Sequence, residues 1–282
     1  MFLYACYKEL WRKTMKLTIS LAQLDVISGE PDKNLDKGSV FLAEAINRDS
    51  DLVVFPEMWT TGFNWKRNKE IAIKQEEVLE QIADMARESR LWINGSMLAL
   101  NDKGELANTS ILYSPDGKRA AVYRKVHLFS FVGEDKHMVS GDELATAETP
   151  WGKVGLSICY DIRFPELFRS YALQGVKMIL CPIAFPHPRL EHWRILSRAR
   201  AIENQLYMVS TNQVGLSDSS RKGDVRFFGN SAIIDPWGDF VIEGNDCDEE
   251  LLTATIDMEM VDDVREKMKV FQDRRPEVYR LT

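Results

Sequence analysis

The sequence predicts an α/β fold with mixed sheets, and three observations support this prediction. Short apolar runs bounded by polar residues, glycine or proline recur along the chain, and they are too numerous for a helical protein. Helical patterns, with apolar residues spaced three and four apart, lie between several of these runs. Hairpin-type turn sequences, such as Ser-Pro-Asp-Gly at 114–117, indicate antiparallel strand pairs beside the parallel ones.

The predicted elements follow one another closely along the chain. The predicted strands are Leu17–Gln23, Leu52–Phe55, Trp92–Met97, Ser110–Tyr113, Val154–Cys159, Met178–Pro182, Met208–Asn212, Ser231–Ile234 and Leu252–Ile256. The predicted helices are Asn34–Arg48, Glu76–Ser89, Glu166–Gln174 and Glu191–Gln205, the last with one apolar face formed by Trp193, Leu196, Ala199 and Ile202. Further hairpin turns are expected at 101–104 and 236–238.

Length and composition favour one large globular domain. The chain has 282 residues, of which 45% are hydrophobic and 28% charged, as in ordinary soluble proteins. Because α/β enzymes of this length are often single units and no linker or repeat divides the sequence, we expect one domain over residues 15–282. Because Met15-Lys16 directly precedes the first predicted strand, residues 1–14 are interpreted as an N-terminal extension or as a misassigned start.

Charge and cysteine content limit the partners that we expect. The net charge of -7 argues against nucleic acid, and no apolar run approaches the roughly 20 residues of a membrane span. No phosphate-binding glycine loop occurs, so we predict no cofactor, and we predict no metal because the histidines and cysteines lack the usual zinc spacing. The widely spaced cysteines contain no C-x-x-C pair, which favours a reducing, cytoplasmic setting over disulfides or a zinc ribbon. They are Cys6, Cys159, Cys181 and Cys247.

Cys159 is the candidate nucleophile. The apolar run that begins at Val154 leads directly into Cys159 and then into the start of a helix. The N–H groups and the dipole of a helix N-terminus favour a thiolate, the form of cysteine that attacks carbon. The alternative is a buried cysteine that only fills an apolar space. A general base and a cation elsewhere in the chain would decide between these readings.

Two further segments supply such groups. Glu57 follows a proline at the end of the strand-like run 51–55, where α/β folds place their sites, although a surface glutamate is the simpler reading. Lys125 lies in the apolar and aromatic stretch 121–129. Its ammonium must therefore either pair with a buried acceptor or reach solvent while the aliphatic part of the side chain lies along apolar surface. Together, Glu57, Lys125 and Cys159 provide the base, the cation and the thiol for attack on an amide.

Other chemistries fit the sequence less well. Ser157 lies in a Gly-x-Ser-x segment like a nucleophile elbow, but Cys159 occupies the position of its second glycine. His127 is a conceivable base for Cys159, yet no papain-type signature surrounds the cysteine. His187 and His192, with Cys181 nearby, lack the usual zinc spacing.

Three blocks of the sequence resemble the nitrilase superfamily of carbon–nitrogen hydrolases, and further matching segments extend the resemblance from Met15 to the C-terminal region. The three blocks are Phe55-Pro-Glu-Met58, Tyr123-Arg-Lys-Val-His-Leu-Phe129 and Ser157-Ile-Cys-Tyr-Asp-Ile-Arg-Phe-Pro-Glu166. The resemblance implies a four-layer α-β-β-α sandwich, paired into a homodimer or a larger assembly, and a Glu-Lys-Cys triad.

The resemblance also assigns roles to individual residues. Glu57 would deprotonate the thiol of Cys159, which would then form a thioester with the substrate. Glu57 would later activate the water that hydrolyses this thioester. Lys125 and the backbone N–H of Tyr160 would hold the oxyanion. Glu134 occupies the place of a second glutamate that many members carry between the Lys and Cys blocks, and it would orient Lys125 or the attacking group.

Within the family, the segments 56–63, 125–129 and 235–238 look most like those of the ω-amidases. Enzymes of that branch hydrolyse the terminal amide of small 2-oxo acids such as 2-oxoglutaramate. Arg163, rather than Arg194, Arg198 or Arg200, is the candidate for the substrate carboxylate. Alternatives are a nitrilase, an N-carbamoyl amidohydrolase, a deaminated-glutathione amidase, or a non-catalytic binding or assembly module. The candidate pocket walls are Trp59, Phe63, Phe185 and Trp193, each of which also has a plain core-packing interpretation.

Overall fold

The computed structural model describes residues 16–217 and 225–279, and the residues interpreted as an extension, 1–14, lie outside them. The apolar runs of the sequence form extended strands throughout this described part. In chain order the strands are β1 Lys16–Gln23, β2 Leu52–Val54, β3 Trp92–Leu100, β4 Leu106–Tyr113, β5 Arg119–Arg124, β6 Thr146–Thr149, β7 Gly152–Leu156, β8 Met178–Ile183, β9 Tyr207–Asn212, β10 Val214–Ser217, β11 Val225–Phe228, β12 Ala232–Ile234, β13 Phe240–Glu243 and β14 Glu250–Asp257.

Helices form where apolar side chains recur at helical spacing. The α-helices are α1 Pro31–Asn47, α2 Trp65–Ile71, α3 Gln75–Ser89, α4 Pro165–Leu173, α5 Leu190–Asn204 and α6 Glu259–Lys267. Proline occupies the first helical position of α1 and α4, where no backbone N–H is needed inside the helix. Short 3-10 turns cover Ala72–Lys74, Ser130–Val132, Glu134–Lys136 and Cys159–Arg163.

Two six-stranded sheets form the centre of the fold. The first has the strand order β14-β1-β2-β3-β4-β5 and the second the order β13-β12-β9-β8-β7-β6, while β10 and β11 form a separate ribbon. In the first sheet β1, β2 and β3 run parallel, and in the second β7, β8 and β9 do. The remaining neighbours in both sheets are antiparallel, so both sheets are mixed.

The sheets pack face to face between two layers of helices. Apolar side chains of β1 and β2 share one buried cluster with those of β7, β8 and β9. The other face of the first sheet packs against α1 and α3, while α5 packs against the second sheet. The predicted α/β class and the four-layer α-β-β-α sandwich are therefore confirmed.

Most predicted elements are present, and the differences have local causes. Every predicted strand and helix overlaps an observed one, and all three predicted hairpin turns join antiparallel neighbours. The prediction omitted β5, β6, β10, β11 and β13, and also α2 and α6, because these segments are short or rich in exposed polar residues. The predicted strand 154–159 ends at Leu156, before Cys159.

The predicted apolar face of α5 is only partly correct. Trp193 is fully buried, but Leu196 and Ala199 are half-buried and Ile202 is 47% exposed. Besides Trp193, the buried face of α5 includes polar residues that donate hydrogen bonds within the fold, among them Arg200 and Asn204. Hydrophobicity alone therefore misplaced the buried face of the helix.

Candidate active site

Cys159 begins a sharp turn beyond the end of β7. The strand stops at Leu156, and the 3-10 turn Cys159–Arg163 starts with Cys159 at a φ of 44°. A non-glycine residue with positive φ costs energy, and such residues concentrate at functional sites where the surroundings impose them. The Cys159 side chain is buried, although the turn also borders a solvent pocket.

Asp161 holds this turn together. Its carboxylate accepts hydrogen bonds from the backbone N–H of Ile158 at 2.9 Å and from the hydroxyl of Tyr123 at 2.8 Å. It also accepts the backbone N–H of His127 at 3.1 Å and lies 2.7 Å from the Nδ1 atom of that residue. Since Tyr123 and His127 flank Lys125 by two residues on each side, Asp161 fixes the Lys125 segment relative to the nucleophile turn.

His127 is therefore a structural partner of Asp161. Its ring also stacks on Phe164, with centroids 3.6 Å apart and planes within 6°. Both contacts orient the imidazole within the turn, which disfavours the Cys-His reading of the sequence.

Glu57, Lys125 and Glu134 form a buried charge network. The ammonium of Lys125 donates to Glu57 Oε1 at 2.7 Å and to both carboxylate oxygens of Glu134, at 3.0 and 2.8 Å. All three side chains are at most 2% exposed. The backbone N–H of Phe129 donates to Glu134 Oε2 at 2.7 Å, which closes the loop that carries Glu134. The structure thus brings together the two glutamates and the lysine that the sequence singled out.

Asn108 joins the two carboxylates. Its Nδ2 donates to Glu57 Oε1 and to Glu134 Oε1, each at 2.9 Å. Its Oδ1 accepts from the Ser96 hydroxyl at 2.7 Å, and its backbone carbonyl accepts the N–H of Lys125 at 2.9 Å. Asn108 therefore orients all three charged groups, although the sequence had not identified it.

Glu57 also connects the two sheets. Its loop follows β2 of the first sheet, and its backbone N–H donates to the carbonyl of Ile183 at the end of β8, at 3.2 Å. The Nε2 of Gln213, which follows β9, donates to the Glu57 carbonyl at 2.6 Å. The site consequently lies where the C-terminal ends of parallel strands from both sheets meet, as α/β folds generally arrange.

The burial of these groups changes their pKa values. Burial raises the pKa of Glu57, and the Glu134 carboxylate adds to this, although the Lys125 ammonium opposes it. For Lys125, burial favours the neutral amine, but the carboxylates of Glu134 and Glu57 outweigh it and hold the pKa well above the ordinary lysine value. The network therefore keeps a permanent cation beside a carboxylate that takes up protons more readily than an exposed glutamate.

The thiol of Cys159 differs from the sequence expectation. Burial and the neighbouring Glu57 carboxylate raise the pKa of Cys159 well above its ordinary value, despite the opposing charge of Lys125. The predicted dipole effect is small because the helical turn after Cys159 spans only five residues. The raised pKa of Cys159 favours the neutral thiol, so attack needs a base, and the neighbouring Glu57 carboxylate can supply it.

A narrow pocket leads from solvent to Cys159. Its walls include Phe129, Cys159, Tyr160, Arg163, Phe185 and Arg189. The space inside is about 20 Å³, roughly enough for one water molecule, so side chains at the mouth must move when a substrate enters. The structure thus places the predicted Arg163, Phe185 and Tyr160 at the pocket.

Three of the predicted pocket walls lie elsewhere. Trp59 is fully buried in the cluster between the first sheet and its helices, and it stacks on Phe55 with centroids 4.3 Å apart. Phe63 packs with Met58, Leu98 and Met138. Trp193 packs against Phe228 and Phe240. Large aromatic side chains pack into the core wherever the fold offers a matching space, so sequence proximity to the site was misleading.

The other candidate arginines bind within the fold. Arg194 pairs with Glu191 and Glu243, and Arg198 donates to the carbonyl of Gly238. Arg200 donates to the carbonyl of Ile162 and pairs with Glu203. These partners leave Arg163 as the best placed of the arginines proposed from the sequence.

Sequence reasoning missed Asn108, Asp161 and Arg189. A polar Asn inside the apolar run Leu106–Tyr113 was a usable signal, because a buried amide needs partners. Asp161 offered a similar signal, since it stands two residues after the candidate nucleophile. Arg189 gave no signal, because only the fold brings the start of α5 to the pocket.

Within 16–217 and 225–279, no group of three or more His, Cys, Asp or Glu side chains is arranged to hold a metal ion. No helix in those ranges has the length and apolar character needed to cross a membrane.

Comparison with known proteins identifies the class to which this fold and site belong. The carbon–nitrogen hydrolase family model matches residues 18–266, and the chain belongs to this family. It is therefore a hydrolase that acts on carbon–nitrogen bonds other than peptide bonds, which confirms the resemblance seen in the sequence.

Relatives in sequence and in structure agree with this assignment. The chain is 34% identical to a 2-oxoglutaramate amidase of Bacillus subtilis (strain 168), over 94% of this chain and 100% of the relative. It is 32% identical to Omega-amidase NIT2 of Homo sapiens, over 93% and 96% of the two chains. A carbon–nitrogen hydrolase structure from Helicobacter pylori G27 superposes with a TM-score of 0.88 at 26% identity, covering 94% and 97%. Saccharomyces cerevisiae Nit3, of the nitrilase superfamily, gives 0.82 at 28% identity, covering 92% and 97%.

Proposed function

We propose that the protein hydrolyses the terminal amide of a small 2-oxo acid, such as 2-oxoglutaramate, to the acid and ammonia through a thioester on Cys159. The observation that carries the proposal is the buried Glu57–Lys125 pair next to Cys159, together with the pocket that Cys159 and Arg163 both line. The names of the relatives, 2-oxoglutaramate amidase and Omega-amidase, supply the substrate class.

In the first half-reaction Cys159 attacks the amide carbon. Glu57 takes the thiol proton as the C–S bond forms, because the raised pKa of Cys159 favours the neutral thiol and this carboxylate is its neighbour. Lys125 and the backbone N–H of Tyr160 stabilise the oxyanion, since early N–H groups of a helical turn have no partner inside the turn. The intermediate collapses as the C–N bond breaks, and Glu57 returns the proton to the leaving nitrogen, which departs as ammonia.

In the second half-reaction water hydrolyses the thioester. Glu57 removes a proton from water as oxygen attacks the carbonyl carbon, and the same cation and N–H hold the second oxyanion. The C–S bond then breaks, and the departing sulfur recovers its proton from Glu57. Glu134 keeps Lys125 charged and in place throughout, because it binds the ammonium through both oxygens. The sum is one amide and one water converted to one acid and one ammonia.

Arg163 is proposed to bind the substrate carboxylate. It is half-buried at the pocket, with its guanidinium carbon 5.7 Å from the centre of the Phe185 ring. An arginine held against an aromatic face keeps its N–H groups directed at a planar anion, which it binds in bidentate fashion. The pocket thus offers an anion site near the nucleophile.

The experiment is a comparison of ammonia release and substrate loss across substrate classes. Purified enzyme is assayed with 2-oxoglutaramate, nitriles, N-carbamoyl amino acids and deaminated glutathione. We expect the highest kcat/KM on 2-oxoglutaramate, and activity on nitriles alone would contradict the proposal. Cys159→Ala should abolish turnover, while Cys247→Ala, which removes an exposed thiol, should not. Equal rates for wild type and Cys159→Ala would instead support a non-catalytic module.

We also propose that the chain forms a homodimer through its α4 and α5 layer. Apolar side chains there are exposed, including Leu173 at 48% and Ile195 at 62%. A second copy would cover them, as the family resemblance implies. Light scattering at micromolar concentration should give twice the chain mass, and Ile195→Asp should reduce it. Ile73→Asp, on a different exposed side chain, is the control, and a monomeric wild type would contradict the proposal.

Two simpler proposals concern the extent of the domain and its location. We propose that residues 15–282 form one folding unit, so a chain beginning at Met15 should retain full activity and unfold in one transition. We propose a cytoplasmic location because the mechanism needs Cys159 as a free thiol. Fractionation of cells that express the tagged protein tests the location.

A further inference from the structure

Arg189 is a second arginine at the mouth of the Cys159 pocket. It directly precedes α5, and its backbone N–H donates to the Pro186 carbonyl at 3.2 Å, which fixes the start of the helix. Its side chain is half-buried, and the guanidinium carbon lies 5.3 Å from the centre of the Phe131 ring. The side chain therefore borders the same space as Arg163.

Neither pocket arginine has a carboxylate partner among the residues that the structure describes. Arg194 and Arg200, on the helix that follows Arg189, each pair with a glutamate. In contrast, no salt bridge in residues 16–217 and 225–279 involves Arg163 or Arg189. Glu57 and Glu134 are occupied by Lys125, and the other pocket walls are aromatic or apolar.

Two half-buried cations without counter-ions favour an anionic ligand. Partial burial weakens the hydration of each guanidinium, so the free energy gained by binding an anion is larger than at an exposed site. A guanidinium also offers only hydrogen-bond donors, which suit acceptors such as carboxylate and ketone oxygens. An ammonium group also offers only donors and carries a like charge, so it would be repelled there.

We propose that Arg189 and Arg163 together bind the 2-oxo carboxylate end of the substrate and so discriminate 2-oxo acid amides from 2-amino acid amides. In a 2-oxo acid the carboxylate and the adjacent ketone present acceptors to the two guanidiniums. In glutamine an ammonium replaces the ketone, and its charge meets two arginines. This inference rests on the proposed function and adds Arg189 to it as a specificity-determining residue.

The kinetic test compares three amides of similar length: 2-oxoglutaramate, L-glutamine and the neutral pentanamide. Loss of a charge-assisted hydrogen bond should lower kcat/KM of Arg189→Leu on 2-oxoglutaramate by about 10-fold to 100-fold, chiefly through KM. The kcat/KM of Arg189→Leu on pentanamide should stay within about twofold of the wild-type value. The ratio of its kcat/KM on 2-oxoglutaramate to that on glutamine should be smaller than in the wild type. Arg189→Lys should retain part of the preference, and Arg194→Leu, on the same helix outside the pocket, should leave it unchanged.

A binding measurement separates this inference from the proposed function. Calorimetry of 2-oxoglutarate with wild type and Arg189→Leu needs no turnover, so it applies whatever amide the enzyme prefers. We expect Arg189→Leu to weaken binding at least about 10-fold while its urea unfolding matches the wild type. Unchanged binding, or an equal loss of kcat/KM on all three amides, would overturn the role of Arg189. A wild type that binds 2-oxoglutarate but hydrolyses only nitriles would overturn the proposed function alone.

Discussion

Asn108→Asp is the substitution that most sharply probes the charge network. The two side chains have nearly the same shape, but the change replaces an amide that donates to Glu57 and Glu134 with a carboxylate. Both 2.9 Å hydrogen bonds are lost, and a third negative group faces the two existing ones in a site that is almost fully buried. Only Lys125 remains to balance them.

The expected loss of stability follows from these two contacts. A hydrogen bond to a charged group contributes about 1.5–3 kcal/mol, so removing both costs about 3–6 kcal/mol before any repulsion is counted. Proteins of this kind have a free energy of unfolding of about 5–15 kcal/mol. Asn108→Asp should therefore lose a large part of the stability of the domain and most of its activity.

Urea unfolding at several pH values is the assay, with Asn108→Leu as the matched variant that removes the donors without adding charge. At pH 7 we expect wild type to be most stable, then Asn108→Leu, then Asn108→Asp. The buried carboxyl of Asn108→Asp ionises less readily in the folded state than in the unfolded state. The difference in free energy of unfolding between Asn108→Leu and Asn108→Asp should therefore grow as the pH rises above about 4 and disappear below that pH. If Asn108→Asp were as stable as the wild type at pH 7, the contribution of Asn108 to the charge network would be refuted.

Three further results are expected. Asp161→Asn should lower kcat at least about 10-fold with KM within about twofold, because displaced catalytic groups lose rate rather than binding; an equal rise in KM would indicate a binding role. The acid limb of kcat/KM against pH should have its midpoint above 4.5, since burial raises the pKa of Glu57 and the base is lost as the pH falls through that value; a midpoint below 4.5 would contradict it. Trp59→Ala should cost about 3–5 kcal/mol of stability without changing the KM of the folded enzyme, whereas a raised KM would return Trp59 to the pocket.

The sequence predicted the fold class and singled out Glu57, Lys125 and Cys159 as candidates, because both steps depend on local patterns. Short apolar runs and hairpin turns specify strands, and they placed Glu57 and Cys159 after strands of what proved to be two different sheets. The pairing of those sheets, and so the distance between the residues, depends on contacts far apart in sequence. The Glu57 N–H bond to Ile183, across 126 positions, is such a contact.

The errors also have physical causes. Trp59 looked like a pocket wall because it follows Glu57 by two residues, but it fills the space above Gly38 and Gly95, whose missing side chains leave room for its ring. The thiolate was expected from a helix dipole alone, but burial, which depends on the whole fold rather than on the turn, raises the pKa of Cys159. Asp161 acts through four hydrogen bonds, and three of them join it to residues 34 or 38 positions away in the sequence.

The central claim is that Cys159 carries the acyl group during turnover. The acyl group can be detected directly if the enzyme is mixed with 2-oxoglutaramate and the reaction is quenched rapidly. Intact-mass and peptide mass spectrometry then measure the mass that the protein has gained and locate it. We predict a transient mass increase equal to the 2-oxoglutaryl group less the thiol hydrogen that it replaces, located on the peptide that contains Cys159 and absent from Cys159→Ala. An adduct on another residue, or undiminished turnover by Cys159→Ala, would contradict the account.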